Sequence, residues 1–429
     1  MTNLKIPFLF FFIFLILLEN PLFSSGLSIR DTEPIIVSAE KFPELLGKPI
    51  EKINFYSYHQ KKLQPIPWQW DPINLMGWVD FSAKKEASVL SSRDQLMWLS
   101  GDMGEKASKK ILDLTLKETS WIQIEVGRKD ENSRFVYANF SEQNQKKSQE
   151  DYITYHPEKD KVITPYFYVG YRDIIIANQF GWINKDHTFG RNLIYEVGVL
   201  FKTRIFFGLI PIKISEKNLI ATQLGFRDGA IRVTQRLKSH LKLPLGLKGP
   251  SNTAESYFYS NRYQTKIDID FPRGGKALIK DSSFKFDIML TPIPGPGLIH
   301  LPPNHILTIE SSMKPKDYLI MESPPPWAQV SEANSKKGFV VFIDIPKSER
   351  KNIIIEKLDY VHKPTSTQIG ILSLHIKIKT KPGKHFFTLL LFSPPQNQTE
   401  KGLQSFSVLR DYQEMVSNPY RIKAIQRIP

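Results

Sequence analysis

The sequence predicts a mostly-β protein: two or more antiparallel β-sandwich domains with minor helices, one of them near the C-terminus. Three observations carry this expectation. Apolar and polar residues alternate from end to end, as at 121–126 (WIQIEV), 134–137, 267–271 (IDIDF), 284–288 (FKFDI) and 371–380 (ILSLHIKIKT). Successive strand side chains point to opposite faces, so this period of two gives one buried and one wet face. Denser apolar runs at 174–177, 339–345 and 386–392 suit strands covered on both sides. The 30 prolines and 23 glycines punctuate these runs at the short intervals of all-β domains.

In chain order, residues 1–25 read as a signal peptide. Lys5 precedes the apolar run 8–18 (FLFFFIFLILL), followed by Pro21 and the small residues Ser24, Ser25 and Gly26. The run is far shorter than the roughly 20 residues of a spanning helix, so cleavage rather than anchoring is expected, with no transmembrane span after signal removal. An N-terminal β domain is expected over 26–160, a central one over 161–300 and a C-terminal sandwich with a terminal helix over 301–429. The polar stretch 129–161 predicts a surface loop at the first joint. Residues 291–304 (TPIPGPGLIHLPPN), with five prolines and two glycines, predict the second joint. A helix is expected over 403–416, stopped by Asn418-Pro419. Around 105–116 a short helix competes with a strand suggested by Leu112, Leu114 and Leu116, and 228–243 fits either period.

The 429 residues carry 58 Lys and Arg against 43 Asp and Glu, a net charge of +15, and no cysteine. Without cysteine there is no disulfide framework, no thiolate metal site and no thiol nucleophile. For an exported chain in the periplasm, at the outer surface or outside the cell, the positive charge predicts an acidic glycan or an anionic lipid as partner rather than nucleic acid. No phosphate-binding loop, dinucleotide fingerprint, zinc-protease helix or serine-hydrolase elbow is present, and the nine histidines are scattered. No metal site and no cofactor are expected.

Three segments carry a resemblance. Pro65-Ile66-Pro67-Trp68-Gln69-Trp70-Asp71, after a strand and a turn, resembles the opening of bacterial exported β-sandwich domains in carbohydrate-active proteins, polysaccharide-lyase-like ones among them. Residues 93–104 (RDQLMWLSGDMG) resemble a segment of uncharacterised exported bacterial proteins, with Gln95 in place of the usual acid. Arg227-Asp228-Gly229-Ala230-Ile231-Arg232-Val233 resembles a strand of galactose-mutarotase-like supersandwiches, with Ala230 where proline is common. The resemblance implies a supersandwich-like central domain and transfers no catalytic residue.

Candidate functional residues follow from chemistry. Sugar rings stack on Trp and Tyr, and Arg forks hold carboxylates at two points. Trp68, Trp70, Trp78, Trp182, Arg236 and Arg262 are therefore candidate ligand-binding residues. The loop 181–192 holds His187, a proton-transfer group, near Arg191; with Arg232 and Tyr259 these two make up the candidate catalytic set. Each group also has a plainer reading: core tryptophans, a solvent-facing hairpin turn, and a strand with an outer aromatic row. The leading functional expectation is a non-catalytic binding or structural module for glycans or anionic envelope components. Its rival is a carbohydrate-active enzyme, which requires His187, Arg191, Arg232 and Tyr259 to converge on one substrate.

Overall fold

The computed structural model describes residues 29–393 and 419–428, except 85–87, 116–119, 130, 144, 174–175, 185, 206–207, 243–247, 272–278, 294, 302–304, 311, 315, 323, 325, 335–336 and 380–382. The expected signal peptide and the expected helix at 403–416 lie outside the described residues. Strands are numbered below in chain order, and the chain is mostly β, as predicted.

The N-terminal unit holds two small sheets. Strands β1 (Pro34–Ser38), β4 (Gln69–Asp71) and β5 (Gln95–Leu99) pair in the order β1-β5-β4. The other sheet contains β2 (Ile53–His59), β3 (Lys62–Pro65), β6 (Trp121–Gly127), β7 (Arg134–Phe140) and the last strand of the chain, β28 (Arg421–Ile428), in the order β28-β6-β7-β2-β3. Phe42, Phe55, Trp70, Trp98, Val126 and Val136 form a common core. Burial of such apolar area is the main force closing the unit. A five-stranded antiparallel meander follows: β8 (Thr154–His156), β9 (Lys161–Ile163), β10 (Phe167–Asp173), β11 (Ile176–Ile183) and β12 (Phe189–Asn192).

The large sandwich takes the remaining strands. A six-stranded sheet contains β13 (Ile194–Ile205), β14 (Ile210–Ser215), β19 (Ile279–Leu290), β22 (Lys316–Glu322), β25 (Ile353–His362) and β26 (Gly370–Ile378), ordered β14-β13-β19-β26-β25-β22. A nine-stranded sheet contains β15 (Leu219–Arg227), β16 (Val233–Lys242), β17 (Lys248–Phe258), β18 (Arg262–Phe271), β20 (Gly297–Leu301), β21 (His305–Ile309), β23 (Trp327–Glu332), β24 (Gly338–Asp344) and β27 (Gly383–Phe392). Its order is β15-β16-β17-β18-β27-β24-β23-β20-β21. Burial alternates along β18, so Ile267 and Ile269 meet Phe284, Phe286, Leu374 and Ile376 in the core. Arg262, Gln264, Lys266 and Asp268 occupy the outer face.

Three expectations change. The joint at 291–304 does not divide two sandwiches: β18 pairs with β27 and β19 with β26, so strands before and after residue 300 share both sheets. The prolines interrupt the chain for a few residues only, and β20 starts at Gly297 inside the same sheet. The stretch 105–116 contains a helix, Lys109–Thr115, rather than a strand, because Leu112 is buried while Leu114 is 70% exposed. The polar stretch 129–161 contains β7 and β8, and the described residues of the segment between them, from 141 to 153, carry no strand.

Candidate functional site

The outer face of the nine-stranded sheet and the N-terminal unit enclose the candidate site. Register fixes its floor. Arg236 of β16 stands opposite Glu255 of β17, Glu255 opposite Lys266 of β18, Lys266 opposite Thr388 of β27 and Thr388 opposite Asp344 of β24. The period of two puts this row, and the adjacent row Thr234, Tyr257, Gln264 and Leu390, on one side of the sheet. The roof is β4 and the segment 72–81 after it, whose turn is set by the Asn74 side-chain oxygen accepting from the Met76 and Trp78 amides.

Gln69 clamps the segment leading into β16. Its Oε1 accepts from the backbone N–H groups of Ile231 (3.0 Å) and Arg232 (2.8 Å), and its Nε2 donates to Asp71 Oδ1 (2.8 Å) and to the Arg232 carbonyl (3.0 Å). A Cβ at Gly229 would fall on the Gln69 amide, so only glycine permits this approach. Arg232 is 3% exposed and fully engaged. Its Nε and Nη2 reach Asp71 Oδ2 at 3.0 and 2.5 Å, Nη2 also reaches Gln95 Oε1 at 3.1 Å, and Nη1 donates to the Tyr259 hydroxyl at 3.1 Å. Arg227 places its Nε 3.3 Å from Asp71 Oδ1 and donates to the carbonyls of Ala83 and Trp70.

Arg236 is held the same way, donating to the Val79 carbonyl (2.5 Å) and to Glu255 Oε1 (3.2 Å) beneath the Phe81 and Trp78 rings. Burial raises the Glu255 carboxyl above its ordinary range, against the pull of Arg236. Burial likewise raises the Tyr257 hydroxyl well above its usual value, which keeps it protonated at neutral pH and unsuited to act as a base. These groups join the N-terminal unit to the sandwich and pair with one another, leaving only Glu255 Oε2 and Arg236 Nε among their charged atoms buried without a hydrogen-bond partner among the described residues.

Beyond them the two bodies part into a cleft of about 310 Å³, lined by Glu33, Ile36, Arg262, Gln264, Asp344 and Tyr420 among others. Arg262 lies 4.7 Å over the Tyr259 ring, and its buried Nε has no hydrogen-bond partner among the described residues. Glu33 is taken up by Arg128 and by the Tyr420 amide, with burial raising its carboxyl. The cleft therefore offers a guanidinium whose Nε has no partner among the described residues, in the field of Glu33, together with an aromatic surface and the amide and carboxylate of Gln264 and Asp344. That set suits an acidic sugar unit.

The candidate catalytic set divides. Arg232 and Tyr259 meet under the roof. His187 sits exposed in a hairpin turn with φ +61°, its amide donating to the Asn184 carbonyl at 2.9 Å, and Arg191 approaches Glu332 at 4.0 Å. Among the binding candidates, Trp68 packs 4.9 Å from Phe55 in the N-terminal core, and Trp70 belongs to that core while its ring stacks 4.8 Å from Arg227. Trp182 lies beneath Lys337, beside the His187 turn. Arg236 and Arg262 share the outer face, and Trp78 of the roof covers Arg236 and Lys266. Gln69 and Asp71 escaped sequence reasoning as site residues; the only signal was that both lie in a motif-like segment. Among the described residues no group of three His, Asp or Glu side chains could hold a metal.

No protein-family description matches this sequence, and no curated protein does. Solved structures similar to the chain include the Slr1438 protein of Synechocystis, at 8% identity over 59% of this chain and 99% of that one, with a TM-score of 0.38. An alpha-mannosidase from Enterococcus faecalis aligns at 12% identity with 93% of this chain and a TM-score of 0.41, and this chain spans 45% of its length. The heparan sulfate lyase HepC from Pedobacter heparinus aligns at 8% identity over 55% of this chain and 33% of that one, with a TM-score of 0.28.

Proposed function

We propose that this protein is an exported, envelope or extracellular binding module that holds an acidic glycan unit in the cleft between its N-terminal unit and the outer face of the nine-stranded sheet. The observation that carries this reading is Arg262. The neighbouring Arg227, Arg232 and Arg236 each bond to Asp71, Glu255 or backbone carbonyls, whereas Arg262 is not bonded to a carboxylate among the described residues and its side chain lines open space; its buried Nε lacks a partner, as does that of Arg236. A buried donor without an acceptor is costly, and a ligand carboxylate would satisfy it with a short, charge-assisted bond. The volume is at the lower end of small-molecule sites and fits one sugar ring with its acid group. Binding rather than catalysis is favoured by the division of the candidate catalytic residues, since His187 and Arg191 stand away from Arg232 and Tyr259.

The reading is tested by calorimetric titration of uronic-acid oligosaccharides into the mature protein. Arg262→Ala should weaken binding by about tenfold or more, whereas Arg191→Ala should bind as the wild type does. Equal affinity in wild type and Arg262→Ala would overturn the assignment.

A further inference from the structure

The two sheets of the sandwich do not fill the space between them at the β14–β15 end. A cavity of about 160 Å³ lies there, walled by Phe201, Leu237, Ala254, Ile267, Phe284 and Phe286 among others. Its cause is legible in β17. The inward row of that strand reads Asn252, Ala254 and Ser256 before Phe258, small or polar where the facing strands carry Phe and Ile. Sandwich sheets pack about 10 Å apart through interdigitating side chains, so a short row leaves a void. Most of its wall is contributed by Phe, Ile, Leu and Val side chains, which suits an apolar occupant, with polar groups of Ser, Thr, Asn and Glu among them.

Shape and charge narrow the occupant. Tyr263, Thr265, Ile267 and Ile269 all line the cavity, and at about 3.3 Å per residue these positions span roughly 20 Å along β18. The space is elongated. At one end Ser215, Glu216, Leu219, Ser251 and Asn252 are half-buried, which marks where solvent reaches the cavity. Glu216, whose Oε2 accepts from the Val199 amide, is the one charged side chain among the described lining residues. A carboxylate at the mouth repels an anionic head and accepts a hydroxyl.

We propose that this cavity is a second ligand site, taking a single linear alkyl chain with an uncharged, hydroxyl-bearing head at Glu216. The site is separate from the glycan cleft, because it lies on the inner side of the nine-stranded sheet and shares no lining residue with it. It could be loaded from a membrane or from free amphiphile; the shared chemistry is the neutral alkyl chain.

The test is fluorescence of N-phenyl-1-naphthylamine with the mature full chain, displaced by 1-dodecanol or by dodecanoate. The probe should bind, and dodecanol should displace it at a concentration about tenfold or more below that of dodecanoate. Ala254→Leu, which fills the void, should weaken dodecanol by about tenfold or more while cooperative unfolding is retained. Glu216→Gln should bring dodecanoate to within about threefold of dodecanol. The proposal is overturned if the wild type does not bind the probe, or if a folded Ala254→Leu chain binds dodecanol unchanged. Should Ala254→Leu fail to fold, an unchanged preference in Glu216→Gln overturns it instead. Transfer of dodecanol from vesicles of neutral lipid would identify the membrane as the source, and uptake only from solution would identify the free amphiphile.

Discussion

Asp71 faces two guanidinium groups with no exposure of its own, taking Arg232 on one oxygen and Arg227 on the other. A buried ion pair adds little when compared with apolar packing of equal volume, but removing one partner leaves the other charge stranded. Asp71→Ala is therefore expected to cost about 3–5 kcal/mol of folding stability, read as a lowered urea midpoint. A loss below about 1 kcal/mol would mean that Arg232 finds other acceptors or water. Gln95 completes the same guanidinium from the third side. At this position the sequence departs from the acidic residue of the segment it resembles, and with Asp71 already supplying both oxygens to arginine, the neutral amide avoids crowding another carboxylate into a buried space. Arg262, two strands along, has only the field of Glu33 and no hydrogen-bonded carboxylate among the described residues, and the proposed binding role rests on this difference between the arginines.

At the scale of elements, alternation made the strands legible. The IDIDF and FKFDI segments became β18 and β19, and the ILSLHIKIKT segment became β26, each with one face in the core. A period of two reports which residues are buried but not which strand lies next door, so the pairing of β18 with β27, more than 100 residues later in the chain, left no local trace. The same limit explains the candidate site. Arg232 and Arg236 could be selected by chemistry, yet their carboxylate partners, Asp71 and Glu255, come from the roof and from a neighbouring strand. Asp71 is separated from Arg232 by 161 residues. The 181–192 loop shows the reverse case, in which a chemically attractive group was a turn. Asn184, Asp186 and Thr188 bond to one another around His187, whose left-handed backbone is what the reversal requires. Proline and glycine counts located interruptions correctly but overstated one of them as a domain boundary.

Across the whole molecule, the chain closes on itself. β28 returns to the N-terminal unit and pairs with β6 from Arg421 opposite Gly127 to Ile428 opposite Trp121, while Tyr420 bonds to Glu33 at the edge of the cleft. Strands from both sides of residue 300 build both sandwich sheets. Separate expression of 26–300 and 301–429 should accordingly yield no cooperative thermal transition in either fragment, since each exposes unpaired central strands. A cooperative melt of either fragment alone would restore the boundary expected at the proline-rich joint. Among the described residues no helix is long and apolar enough to cross a membrane. The positive charge of the chain then bears on the proposed binding in one specific way: it draws any polyanion toward the surface, so affinity alone does not separate a fitted cleft from diffuse attraction.

The dependence of uronic-acid oligosaccharide affinity on salt makes that separation. Diffuse attraction is screened within a Debye length, whereas a half-buried guanidinium–carboxylate contact is screened far less. Between about 50 mM and about 500 mM salt, the cleft predicts an affinity loss of no more than about threefold, with the Arg262→Ala deficit preserved at both concentrations. A collapse of about a hundredfold, equal in wild type and Arg262→Ala, would show that the net charge and not the cleft does the binding.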